Sequence, residues 1–368
     1  MEKEITLSQA RIGLLSHVSE EELGGGIGRF IQHLKLALPQ LEIFPKSDWL
    51  GNHFWARKKI NPWYLDWLKN DCVYSRRLKK EHRLRPFDLL FTHSCTGIRL
   101  NSKKMGIPVI HLYFGCLEEF VRRTVASRWD RFVQIAIAGR MDRQAGKNKY
   151  CTVLSDKVQE EIKEIYAQES HVIRVGVDLE IAKNYERSQA RVKLGVTPSA
   201  KIGLYVGRLE YAKGLDILLK SAASFPDVRF VCVTGDSGSF PVPANLIIRK
   251  NISSTEQNLW CAAADFFIIP SRYESASYVT LEAMSFNLPI IVSERIGVTI
   301  FGKNPTLGPA EGVYIVGEDQ YTQAIKNCLG RKEAATTRPF VEKNHSLAQF
   351  FDNYKTLVSR LLRGNFST

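Results

Sequence analysis

Asp265-Phe-Phe-Ile-Ile-Pro270-Ser-Arg-Tyr-Glu274-Ser-Ala-Ser-Tyr-Val-Thr-Leu-Glu282-Ala-Met-Ser285 is followed, after a short turn, by a second apolar run, Pro289-Ile-Ile-Val-Ser293. Two short apolar runs flanking a polar turn and a helical stretch read as strand, loop, helix, strand. The order places Glu274 at the carboxyl end of a parallel strand and Glu282 about two turns away, inside the next helix. In an open α/β sheet that edge is where ligands bind. Two carboxylates there, with cations elsewhere to hold phosphate, suit a ligand that is hydroxyl-rich at both ends and anionic in the middle. A nucleotide sugar is such a ligand; two solvated surface glutamates are the bland alternative.

Outward from that stretch the same alternation recurs. Ile202–Val206, Val228–Val233 and Asn245–Ile248 read as strands, with helices at Leu215–Ala223 and 254–263. The first half offers strands at Arg11–Leu15, Asp88–Thr92, Pro108–His111 and Cys151–Leu154. Between them fall a Gly-rich turn at Gly24–Arg29, a helix at Phe30–Leu38, and helical stretches near 118–140 and 156–167. Strands alternating with helices imply doubly wound parallel sheets. The predicted architecture is therefore α/β with two Rossmann-like domains: residues 1–178, and residues 179–346. A final amphipathic helix within 347–368 packs back on the first domain. At 368 residues, two cores are expected rather than one.

Apolar and charged fractions of 44% and 24% are those of an ordinary globular chain, which excludes bulk disorder. Met1–Thr6 lacks a signal peptide's basic start and apolar core, and no apolar run reaches the length of a membrane span. Seven scattered cysteines without a Cys-x-x-Cys pair argue for buried thiols in a reducing compartment. The expected location is cytoplasmic. Residues 53–149 hold 21 Lys+Arg against 8 Asp+Glu, which is the whole of the net charge of +13. So local an excess points to an anionic partner rather than general solubility.

Gly207-Arg-Leu-Glu-Tyr-Ala-Lys-Gly214 stands directly between a strand and a helix. It brings Arg208 and Lys213 to the sheet edge as a diphosphate clamp, without the Gly-Lys-Ser/Thr of a Walker loop. No Asp-x-Asp occurs, so no metal is expected and the cations would do its work. His17 and His93, each just after a strand, are candidates to line an acceptor or sugar pocket; His111, inside an apolar strand, reads as a core histidine.

These motifs, taken in order with Val233-Thr-Gly-Asp236 and Ala263-Ala-Asp-Phe-Phe-Ile-Ile-Pro-Ser271, resemble the carboxyl-terminal domain of glycosyltransferase family 4. Gly25-Gly-Ile-Gly-Arg-Phe30 is similar to that family's donor-facing glycine loop, and Val172–Asp178 to its interdomain segment. The resemblance covers about residues 10–300 and implies the GT-B architecture, two domains facing across a cleft, with retention of anomeric configuration. By that resemblance Arg208 and Lys213 hold the donor diphosphate, Glu282 the ribose hydroxyls, and Glu274 the donor sugar. Backbone at Ser277, Tyr278 and Val279 touches sugar and phosphate, Gly25 and Gly26 approach the donor, and Arg249–Ile252 lines the base pocket. No cofactor is implied beyond the nucleoside-diphosphate sugar, and no protein nucleophile. Three positions depart from the family. Phe114 replaces a histidine that contacts the donor sugar, which raises a pentose or 6-deoxy donor as a hypothesis. Ser277 and Asn287 replace glycines, and Asn287 tolerates left-handed backbone.

Cations and aromatics interleave over 54–85, and again over 122–131. Such surfaces bind anionic headgroups. With the acceptor of this family often lipid-linked, the expectation is peripheral docking on the inner face of the cell membrane, not nucleic-acid binding. The expected activity is transfer of a sugar from a nucleotide sugar to a glycan or lipid-linked acceptor. A catalytically silent homologue, serving as a membrane-associated subunit or nucleotide-sugar sensor, is the alternative.

Overall fold

The structure is a computed structural model that describes residues 6–16, 25–45, 63–236, 241–301, 304–305 and 307–364; side chains at 63–70, 299–301 and 304–305 are outside the description. The chain divides into two compact units. Unit 1 is residues 1–175 with 347–368, and unit 2 is residues 176–346.

Unit 1 holds a sheet of six parallel strands: β1 (Ile12–Ser16), β2 (Leu41–Pro45), β3 (Leu89–His93), β4 (Val109–Tyr113), β5 (Tyr150–Val153) and β6 (His171–Val172), in the order β2-β1-β3-β4-β5-β6. β1, β3 and β4 are buried along their whole length, as strands covered on both faces must be. Helix Leu347–Leu362 completes this unit. Its Phe350 and Tyr354 stand edge-on to Phe30, at 5.4 and 5.8 Å between ring centres. Edge-to-face stacking of fully buried rings adds to the area they bury.

Two expectations change in unit 1. The Gly-rich segment is not a turn where it is described: residues Gly25–Ala37 form one helix. Gly28, Phe30, Ile31, Leu34 and Ala37 fall on its buried face, and that burial outweighs the poor helix propensity of glycine. The stretch near 118–140 is three pieces, Leu117–Thr124, Arg128–Gln134 and a π-helical turn at Ile135–Gly139. The break covers residues 125–127 and ends at Ser127, whose side chain caps the second piece by accepting from Asp130 N.

Unit 2 repeats the plan with β7 (Lys201–Val206), β8 (Val228–Thr234), β9 (Leu246–Lys250), β10 (Phe266–Ile269), β11 (Ile290–Ser293) and β14 (Val313–Val316). A two-stranded hairpin of β12 (Ile300–Phe301) and β13 (Asn304–Pro305) lies between the last two. The sheet order is β14-β11-β10-β7-β8-β9, all parallel. Counted from β7, that is 3-2-1-4-5-6, the doubly wound order whose direction reverses between its first and fourth strands. Tyr205, Phe230, Phe266, Ile268 and Ile291 from the sheet pack with Leu218 and Ile325 from helices Leu215–Ser224 and Tyr321–Leu329. The reversal point, between β7 and β10, is where the opening stretch of sequence delivers its first carboxylate.

Candidate active site

β7 ends at Val206, and the loop that follows carries both predicted cations. Tyr205 is buried and donates its hydroxyl to Arg208 O at 2.6 Å, while Gly207 N bonds Val233 O at 3.0 Å. These bonds fix the turn against β8. The loop closes as a short 3-10 turn, Tyr211–Lys213, ending at Gly214 with φ +73°. A Cβ on Gly214 would stand 2.1 Å from Pro270 O, so only glycine allows the two loops to touch.

On the other side of the reversal point, β10 runs into Pro270, Ser271, Arg272, Tyr273 and Glu274. Lys213 Nζ meets Glu274 Oε1 at 2.5 Å, and Ser271 Oγ donates to the same oxygen at 3.1 Å. The two charged side chains are 20% and 13% exposed. That is enough burial to strengthen their attraction and enough access for a ligand to join it. Glu274 is also anchored through its backbone, with Gly297 N donating to Glu274 O at 3.1 Å. Arg208 pairs with Glu210 at 2.8 Å and remains 62% exposed, at the same carboxyl edge.

Glu282 sits in the helix Tyr278–Ser285, as the spacing predicts, and accepts a long bond from Gln257 Nε2 at 3.4 Å. The helix begins at the sheet's carboxyl edge. Ser277 is its N-cap, accepting from Thr280 N, and a second bond to the same oxygen comes from Thr280 Oγ1 at 2.8 Å. A serine here keeps the helix start satisfied, and the backbone N–H groups of Tyr278 and Val279 lie in that first turn. Arg249 is the fourth residue of β9; it is exposed, with its guanidinium 5.8 Å from the centre of the Trp260 ring. Arg208, Lys213, Arg249, Glu274, Ser277, Tyr278, Val279 and Glu282 thus all belong to unit 2, on or just beyond the carboxyl ends of β7, β9 and β10.

The unit 1 candidates are placed differently. His17 lies outside the described residues. His93 ends β3, fully buried, with Nε2 3.2 Å from Ser16 Oγ and Nδ1 3.3 Å from Ser94 Oγ. Phe114 is half-buried just after β4, edge-on to Phe30 at 4.9 Å and to His93 at 5.3 Å. Gly25 opens its helix at φ +72°, in open space, so the conformation rather than packing calls for glycine. Gly26 follows within the helix. His111 is a core histidine, bonded through Nδ1 to Thr92 Oγ1 at 2.9 Å and held neutral by burial and by Lys149.

Sequence reasoning missed the residues that hold these groups. Glu210 partners Arg208, Ser271 partners Glu274, and Asp236 accepts a short bond from Leu209 N. Arg272 reaches Asp216, 56 positions away, and Glu318, 46 positions away. No local pattern exposes such partners; only the sheet order brings them together.

Residues 200–331 match the family described as glycosyl transferases group 1. That segment contains Arg208, Lys213, Arg249, Glu274 and Glu282. A D-inositol 3-phosphate glycosyltransferase from Mycobacterium sp. (strain KMS) is 30% identical over 185 residues, covering 46% of this chain and 42% of that protein. The chain therefore spans less than half the length of the curated relatives it matches. Among solved structures, sucrose-phosphate synthase from Thermosynechococcus elongatus superposes with a TM-score of 0.77 at 17% identity, covering 96% of this chain and 100% of that one. HepE from Anabaena, in complex with UDP and glucose, gives 0.61 at 14% identity, covering 95% and 100%. At these identities the likeness carries the fold, which is the two-sheet α/β fold of GT-B glycosyltransferases.

Proposed function

We propose that the chain is a retaining, metal-independent glycosyltransferase of the family 4 type that takes its sugar from a nucleoside-diphosphate donor. The observation that carries this reading is the meeting of Lys213 and Glu274 at the β7/β10 reversal point. As the glycosidic bond to the diphosphate breaks, negative charge gathers on the leaving phosphate. Lys213 and Arg208, both in the loop that follows β7, would neutralise it. Glu274, held by Ser271, would accept from donor sugar hydroxyls, and Glu282 from the ribose. Backbone N–H groups at Tyr278 and Val279 would receive the phosphate, as helix starts do. Arg249, at the end of β9, would border the base. The carboxylates would thereby fix the donor at its two hydroxyl-rich ends while the cations act between them.

The acceptor, on this reading, is a glycan or a lipid-linked sugar, met at an anionic membrane surface on the cytoplasmic side. Support comes from the helix Arg128–Gln134, where Trp129 and Phe132 are 72% and 64% exposed with ring centres 6.0 Å apart. The cations beside them are partly engaged within the protein: Arg122 pairs with Glu118 at 2.5 Å, Arg123 with Glu119 at 2.6 Å, and Arg131 bonds Val125 O. Arg76, Lys80 and Arg83, on helix Trp63–Leu84, are exposed. Residues 54–62 of the basic segment lie outside the described residues. No helix among the described residues is long and apolar enough to cross a membrane, so attachment would be peripheral.

The test is release of nucleoside diphosphate from a panel of UDP-, GDP-, ADP- and dTDP-sugars, without acceptor and with EDTA present. Phe114 is the reason to include pentose and 6-deoxy donors. Slow release from one donor class is the expected result; release from none would leave the silent homologue as the better reading.

A further inference from the structure

Arg272 is a cation at the candidate site that the proposed chemistry does not use. Its side chain is 5% exposed, the most buried of the arginines along this edge. Nη1 donates to Tyr211 O at 2.7 Å and to Asp216 Oδ1 at 2.8 Å, while Nη2 donates to Asp216 Oδ2 at 2.8 Å. Nε stands 3.3 Å from Glu318 Oε1. The guanidinium carbon lies 3.6 Å from the centre of the Tyr211 ring, and the backbone N of Arg272 donates to Ala212 O at 2.9 Å. A single residue of the β10 loop therefore binds two carbonyls, a ring and a carboxylate from residues 211–216, on both sides of Lys213.

We propose that Arg272 is a positioning residue, clamping the Tyr211–Asp216 turn onto the β10 loop so that Lys213 is delivered to Glu274 and to the donor phosphate. This inference rests on the functional reading above. The physical reason for an arginine is the fork. A planar guanidinium takes the Asp216 carboxylate with two parallel bonds and stacks on Tyr211 with its face, which an ammonium cannot do together. Gly214 supplies the matching contact beneath, its α-carbon pressed toward Pro270 O. The backbone of Lys213 lies between these two fixed points, and its Nζ meets Glu274 Oε1. The carboxylates of Asp216 and Glu318 are more than half exposed, and they face the guanidinium. One guanidinium between two carboxylates leaves the clamp net negative, so Arg272 does not itself draw an anionic donor.

Two readouts test the clamp, one of them independent of activity. Acylation of Lys213 by an amine-reactive reagent, read by mass spectrometry against exposed Lys201, should rise about fivefold in Arg272→Ala and less in Arg272→Lys. In the transferase or donor-hydrolysis assay, Arg272→Ala should lower kcat about tenfold with donor KM changed less than about threefold, and Arg272→Lys should recover part of it. Adding Arg272→Ala to Lys213→Ala should cost nothing further, because one acts through the other. Unchanged labelling in both variants, or losses that multiply in the double variant, would overturn the clamp. If Arg272→Ala does not fold, Arg272→Lys carries both comparisons. If the wild-type protein releases nucleoside diphosphate from no donor, the functional reading fails on its own, and labelling still decides the positioning.

Discussion

Lys213→Ala removes one partner of an ion pair that is 20% exposed on one side and 13% on the other. Exposed pairs are worth about 0–1 kcal/mol, and breaking a buried one costs about 3–5 kcal/mol. A pair of intermediate burial places the stability loss at about 1–3 kcal/mol, much of it from the Glu274 carboxylate left without its cation. On the chemical step the loss is a charge-assisted contact to the leaving diphosphate, about 1.5–3 kcal/mol, which lowers kcat by roughly 10- to 150-fold. The two losses separate in a double-mutant cycle with Glu274→Gln. Neutralising the orphaned carboxylate should return part of the melting temperature lost in Lys213→Ala, while turnover stays low. Urea or thermal unfolding and nucleoside diphosphate release, measured on all four proteins, give the cycle. A Lys213→Ala protein that turns over at nearly the wild-type rate would refute the reasoning, whatever its stability.

Other outcomes follow from the same structure. Gly214→Ala forces a Cβ to 2.1 Å from Pro270 O at φ +73°, which should cost about 3 kcal/mol or more. In a unit of this size that lowers the melting temperature by roughly 6–12 °C; an unchanged melting curve would show that the two loops do not touch. Burial pushes the Asp142 carboxyl up to about 7, against the bond from Tyr166, so the folded state holds a proton that the unfolded chain releases from about pH 4 upward. Stability should therefore fall as pH rises from about 4 to about 7, by on the order of 4 kcal/mol, and level off above. Asp142→Asn should flatten that slope in pH-dependent unfolding, and an unaltered slope would remove Asp142 as its source. Replacing both Trp129 and Phe132 by Ser should weaken flotation with anionic liposomes at low salt about tenfold while leaving donor hydrolysis unchanged; equal flotation would dismiss this helix as the docking surface.

The second half of the chain was the more legible. The run Phe266–Ile269 is apolar without interruption because both faces of a central parallel strand are covered, and the strand appears where the run lies. Helix Leu347–Leu362 has the bounds its periodicity implies, and its burial on one face follows from the same spacing. Asn287 adopts φ +55°, the left-handed backbone its side chain tolerates, and its Oδ1 accepts from Arg338 N. Elements with mixed signals were not read. β2, Leu-Glu-Ile-Phe-Pro, is an edge strand with a charge and a proline, and β14 is an edge strand of four residues. Helix Trp63–Leu84 looked like a basic surface, yet Tyr74 and Leu78 on its inner face pack with Leu15, Phe87 and Leu90. At the site, Arg208, Lys213 and Glu274 lie in loops beyond the carboxyl ends of β7 and β10, where residues between a parallel strand and its helix must lie. Glu210, Ser271, Asp236 and Arg272 stand within the quoted motifs, but their roles as partners went unread, because hydrogen-bond partners chosen across a sheet leave no periodic trace.

The most direct measurement is calorimetric titration of the protein with UDP, GDP, ADP and dTDP in the presence of EDTA, beside the same titration of Lys213→Ala. One nucleoside diphosphate should bind the wild-type protein without a divalent ion and bind the variant at least about tenfold more weakly. Binding of none, binding that requires a metal, or equal binding to both proteins would contradict the site assigned to the β7/β10 edge.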